Sequence, residues 1–142
     1  MQIVKFKKAH LDQMVIQERQ QGLEYLHTDE MFESIASDDA FTAIDDDGTI
    51  FAVAGVVRMT PNRGVAWSYL SNGLGVKMSV ITRAVLRYLK IAPFERIEMH
   101  VDCDFAQAHR WAKMLGFEME CERMRCFTPD RRDCALYAMI KV

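Results

Sequence analysis

The chain has 142 residues, 50% of them hydrophobic and 27% charged, enough to bury a core without disulfide or metal staples and too apolar for a disordered segment. Its formal net charge of -2 supplies no basic field, which argues against a nucleic-acid or membrane-surface partner. No stretch approaches the roughly 20 apolar residues of a membrane span, and Met1 to His10 lacks the apolar run of a signal peptide, so residues 1–142 are expected to form a single domain in the cytoplasm.

In chain order, Gln2 to Phe6 alternates polar and apolar residues and predicts a first strand. Leu11, Met14 and Val15 at helical spacing, with Gly22 as a stop, predict a helix from Leu11 to about Gln21. Thr28 reads as the N-cap of a second short helix that buries Met31, Phe32 and Ile35, with Asp29 and Glu30 at its positive end. Phe41 to Ile44 is a strand, Asp46, Asp47 and Gly48 make a hairpin turn, and Ile50 to Met59 returns beside it. Pro61 to Gly64 is the next turn and Val65 to Leu70 the next strand.

The apolar period then changes. Met78, Ile81, Ala84, Val85, Tyr88 and Leu89 recur at three and four, giving a long amphipathic helix from after Gly75 to about Lys90, with Arg83, Arg87 and Lys90 off the stripe. Pro93 ends that connection, Arg96 to Val101 is a strand, and Phe105 to Leu115 is a helix closed by Gly116. Glu118 to Cys126 and Asp133 to Ile140 pair as a terminal hairpin around Pro129 and Asp130. A meander followed by a strand, helix, strand crossover implies an α/β chain with a mixed sheet and helices on both faces.

Gly73, Leu74 and Gly75 stand where a strand hands over to the long helix. Backbone amides at a helix start, with no Cβ in the way, suit a phosphate, and Lys77 could add a charge; a plain tight turn is the alternative. The element order, this turn, and a late helix ending Lys113, Met114, Leu115, Gly116, Phe117 resemble the GCN5-related N-acetyltransferase (GNAT) superfamily over nearly the whole chain. The segment Ala108 to Phe117, with Trp111 at an aromatic position, is similar to that family's second cofactor motif.

The resemblance implies a central mixed, mostly antiparallel sheet of about seven strands flanked by four helices, with the parallel fourth and fifth strands, Val65 to Leu70 and Arg96 to Val101, splayed apart. It implies acetyl-CoA as co-substrate along Tyr69, Leu70, Asn72, Gly73, Leu74, Gly75, Val76 and Lys77. The reaction implied is transfer of the acetyl group to an amine of a small molecule or protein by direct attack, with an oxyanion held by a backbone amide near Tyr69 or Leu70. Two positions depart from the family pattern: Leu70 stands where Gln or Arg is usual three residues before the first glycine, and Ala112 where a tyrosine commonly protonates the departing thiolate. The short loop and the strand end Trp67, Ser68, Tyr69, Leu70, Ser71 look most like acetyltransferase-like proteins encoded by tailed bacteriophages. A second reading follows: a weak or inactive protein of this fold with a structural, virion or interaction role in the host cytoplasm, as a homodimer or a virion component.

Glu98, His100 and Asp102 alternate along one strand and so share a face. Three titratable groups in a row suggest a wet cleft, and Glu98 or His100 is the candidate base that takes a proton from the acceptor amine. The alternative is a polar face that is exposed, or paired with arginines across the sheet. His100 with Asp102 is too few ligands for a metal site, and His109 reads as a solvated helix residue. Cys103, Cys121, Cys126 and Cys134 contain no Cys-x-x-Cys pair and read as free thiols, with acidic neighbours opposing thiolate formation at Cys103. No metal is expected.

Overall fold

The computed structural model describes residues 1–16 and 39–141. Its elements are β1 (Gln2–Lys5), α1 (Lys8–Asp12), β2 (Asp39–Ile44), β3 (Ile50–Thr60), β4 (Arg63–Leu70), α2 (Lys77–Ile91), β5 (Arg96–Asp102), α3 (Ala106–Met114), β6 (Glu118–Met124) and β7 (Cys134–Ile140). The strands form a 7-stranded sheet in the order β1-β2-β3-β4-β5-β7-β6. β4 and β5 run parallel, pairing Arg63 with Arg96, Gly64 with Ile97 and Val65 with Glu98. β1–β2, β2–β3, β5–β7 and β6–β7 are antiparallel. This is the mixed, mostly antiparallel sheet expected. The predicted helix opening at Thr28 lies outside the described residues.

The first predicted helix needs correction within them. α1 starts earlier, at Lys8, and ends at Asp12, whereas Ile16 already makes an antiparallel bridge with Ser71. The periodicity marked burial correctly for Leu11 and Met14, but Val15 is exposed, because the β-branched Val15–Ile16 pair follows an extended path that suits a bridge better than a helical turn. Elsewhere strand and helix ends differ from expectation by a few residues at most: β4, for example, begins at Arg63 because the turn before it needs only Pro61 and Asn62.

The chain divides into two compact units, Met1–Val57 with Trp67–Ala84, and Arg58–Ala66 with Val85–Val142. In the first, Phe6, Leu11, Met14, Ile16, Ala40, Ile50, Val53 and Tyr69 form one buried cluster with Trp67 packed against it. Phe6 meets the Trp67 ring edge-on at 5.3 Å, a geometry that aromatic quadrupoles favour. His10 caps the start of α1, accepting at Nδ1 from the Lys7 amide (3.1 Å) and lying 2.8 Å from the hydroxyl of fully buried Thr42. Burial pushes the His10 pKa down, as does the adjacent Lys7 charge. The turn after β2 is fastened by Asp45 N–H to Thr49 O (2.8 Å) and Gly48 N–H to Asp45 O (2.9 Å).

In the second unit β5 is central, with β7 pairing along its whole length from Arg96–Ile140 to Asp102–Cys134. Ile97, Val101, Ala135 and Tyr137 are buried there, and Ala112, Leu115 and Phe117 bury the inner side and exit of α3. Gly116 N–H to Lys113 O and Phe117 N–H to Ala112 O, both 3.0 Å, close that helix. Lys141 caps the far end of α2, donating from Nζ to Leu89 O at 2.8 Å and also to Ala92 O, so a cation meets the negative end of the helix.

Candidate functional site

All the residues expected to hold a cofactor, Tyr69 to Lys77, fall in the first unit. Tyr69 and Leu70 are buried at the end of β4. Ser71 is tied down by the bridge to Ile16 and by its amide bond to Phe51 O at 3.0 Å. The chain then leaves the sheet through Asn72, and Gly73 and Gly75 take φ of +65° and +52°. That left-handed region is open to glycine at no steric cost and strains other residues. A Cβ built at either glycine would meet nothing within 4 Å, so the two positions present bare, exposed backbone.

The carbonyls of the turn point into the helix: Lys77 N–H donates to Leu74 O (3.0 Å), Met78 N–H to Gly75 O (3.1 Å) and Ser79 N–H to Val76 O (3.2 Å). Among the described residues no backbone acceptor meets the amides of Gly73, Leu74, Gly75 or Val76. These amides lie at the positive end of the 15-residue helix α2, where the macrodipole adds to their pull on an anion. Lys77, the first helical residue, is held in an ion pair with Asp45, with its Nζ 5.2 Å from the centre of the Phe51 ring.

The two candidate bases, Glu98 and His100, belong to the second unit, and their surroundings separate them. Glu98 is 7% exposed and accepts two hydrogen bonds from Arg63, at 2.7 and 2.9 Å, and one from Arg96 at 2.6 Å. Arg96 continues the chain of charges to Glu120 through its two terminal nitrogens. The Arg63 hydrogen bond is the largest influence holding the Glu98 pKa down to about 2. A carboxylate so stabilised is a weak base, and Glu98 has the arrangement in which the strand's charges pair with arginines. Asp102 is engaged in turn by the Asp104 amide (2.9 Å) and faces Arg132 at 3.7 Å.

His100 stands between them without an ion pair or hydrogen bond among the described residues. Its ring lies 4.7 Å from that of Phe127, tilted by 55°. One side stays open to solvent, while desolvation by its surroundings pushes the pKa below 6.5, with Glu98 pulling up and Arg63 down. A neutral imidazole with a free nitrogen can accept a proton at neutral pH.

His109 is no solvated helix residue. Its Nδ1 lies 2.7 Å from the hydroxyl of fully buried Tyr137 and its Nε2 3.1 Å from Cys103 O. Since a carbonyl only accepts, the proton sits on Nε2 and Tyr137 donates to Nδ1. Sequence spacing could not reveal this pair, which lies 28 residues apart. The cysteines are free; burial raises the Cys103 thiol and pushes Cys134 up to about 11, the opposite of an activated nucleophile. Among the described residues no three metal-binding side chains cluster.

No protein-family model matches the sequence and no curated protein sequence matches it significantly. Solved structures do. Ard1 from Thermoplasma volcanium superposes with a TM-score of 0.76 over 99% of this chain and 97% of its own, at 14% identity. A candidate phosphinothricin N-acetyltransferase gives 0.74 over 99% and 98%, at 13% identity. The chain has the GNAT fold. A chimera of the Vibrio cholerae spermidine N-acetyltransferase SpeG and hSSAT gives 0.57 over 71% of this chain at 16% identity, and the chain spans 65% of that chimera's length. At such identities the likeness reaches the GNAT fold and no single side chain. Individual residues must be judged on their own geometry.

Proposed function

We propose that this chain is an acetyl-CoA-dependent N-acetyltransferase, with the turn from Gly73 to Val76 holding the cofactor's diphosphate. The observation that carries the reading is the row of amides at the start of α2 that meet no backbone acceptor among the described residues, bared by two left-handed glycines. Those residues fit the group: backbone can approach it closely, and the helix end favours its charge. When bound, acetyl-CoA supplies a thioester carbon open to attack by an amine. His100, neutral at pH 7, is the residue we assign to take the proton from that amine. Glu98 keeps Arg63 and Arg96 in place and takes no part in proton transfer.

Ala112 is fully buried and has no hydroxyl, and the Tyr137 hydroxyl is engaged by His109, so neither protonates the leaving thiolate. The proton then comes from solvent, and slow turnover is expected. The proteins of this fold named above include a spermidine N-acetyltransferase chimera and a candidate phosphinothricin N-acetyltransferase, so the fold leaves the acceptor amine open. Calorimetry with CoA and acetyl-CoA, followed by thiol release on a panel of amines, tests the reading. Saturable binding with amine-dependent thiol release supports it, and absence of binding overturns it. Binding without release on any amine would leave a CoA-binding protein and remove the enzyme.

A further inference from the structure

Resting on that cofactor reading, we propose that Asp45 and Lys77 form a latch at the glycine turn: Lys77 leaves Asp45 for the diphosphate on binding, so that Asp45 sets the affinity for CoA. Lys77 is the first residue of α2, two positions after Gly75, and side chains at a helix start lean back over the turn before it. The one cation carried by the turn region therefore starts within reach of the bare amides, while its Nζ is bonded to Asp45 Oδ2.

Asp45 is a prepared partner rather than a chance neighbour. Its backbone is fixed by bonds with Thr49 and Gly48, and its other carboxylate oxygen accepts from the Asp46 amide at 3.0 Å. The same hairpin carries Asp46, paired with the chain's amino terminus at 3.0 Å, and Asp47, whose Oδ1 accepts from the Thr49 amide at 2.9 Å. An anion approaching the turn thus meets a lysine already engaged beside an acidic hairpin. The pair is partly open to water, with the Lys77 side chain 43% and the Asp45 side chain 29% exposed. Ion pairs so exposed are weak, and the lysine can exchange partners readily.

The test is CoA affinity by calorimetry in wild type, D45N, K77M and the double variant, each first checked for an unchanged melting transition. D45N is expected to tighten CoA binding about threefold and K77M to weaken it by a similar factor, the scale of a single charge at a helix start. In the double variant the gain from D45N should vanish, because there is no lysine left to release. Wild type that binds CoA with the same Kd as D45N overturns the latch and leaves the cofactor reading standing. A gain from D45N that survives intact beside K77M also overturns it, since Asp45 would then act only by its field. Failure of wild type and D45N alike to bind CoA removes the cofactor reading and the latch together.

Discussion

At the turn before α2 the polar groups on offer are backbone amides with no backbone acceptor among the described residues, whereas along β5 they are side chains, nearly all matched. Glu98 has two arginines and Asp102 has an arginine and an amide. Among the described residues, His100 alone of the three is left to a ring contact. A fold leaves strong donors unmet only where water or a ligand can meet them, because an unmet buried group costs about 1–3 kcal/mol. The exposed amides of the first region are open to water or, in the reading proposed above, to an anion. The second is built to hold a strand in place while keeping one imidazole available.

Breaking the second region should have the largest effect. E98A removes the carboxylate of Arg63 and one of the two that hold Arg96, which keeps Glu120, and urea unfolding should show a loss of about 2–3 kcal/mol, the scale of losing hydrogen bonds between charged groups that stay partly open to water. The same group sets an acid limit. Its pKa falls from 4.5 to about 2 on folding, so its contribution is complete above 4.5 and is lost as pH drops through that value toward 2. A wild-type stability curve that stays flat across this window would show that Glu98 is not held as described.

Next in size, H100Q should lower amine-dependent turnover by about a hundredfold while leaving CoA affinity unchanged. The wild-type rate should rise with pH through a value below 6.5, the direction set by desolvation of the ring. An intact rate in H100Q would remove His100 as the base. His100 also has a stability signature. Its folded pKa is lowered, so the unfolded chain binds the proton more tightly and stability falls as pH drops through about 6.5.

G75A probes the first region. No atom blocks the added methyl group, so the variant pays only for its left-handed backbone, about 1 kcal/mol, and CoA binding should weaken as the turn relaxes. CoA binding at full strength in G75A would separate the turn from the cofactor. Smallest is Y137F, which removes the donor to His109 and should cost about 1 kcal/mol in unfolding free energy, with no change in CoA affinity. A shift in CoA affinity would tie the Tyr137–His109 pair to the binding region.

Some of these features are written in local sequence and others are not. The glycine turn is legible in the chain itself, since Gly73 and Gly75 fall between an apolar strand and a run with helical period, and local chemistry leaves them few alternatives. The shared face of Glu98, His100 and Asp102 is equally legible, because a strand's two-residue period is a property of its own backbone. Which of the three is free is not legible. Arg63 reaches Glu98 across 35 residues, and no local pattern contains that partner. The first helix failed for the same reason: Leu11, Met14 and Val15 carry a helical spacing, but the bridge from Ile16 to Ser71 is a long-range contact that overrides it.

By itself, then, the sequence determined the order of the elements, the alternation of the core strands and the position of the glycine turn, all of which depend on residues within a few positions of one another. Tertiary structure alone decided that Glu98 is held as a carboxylate between two arginines, that His100 is open, that His109 serves the buried Tyr137, and that Lys77 rests on Asp45. All but the open His100 are settled by a charge or a hydrogen bond between residues far apart in the chain, and such energies exist only once the fold has brought the partners within a few ångströms.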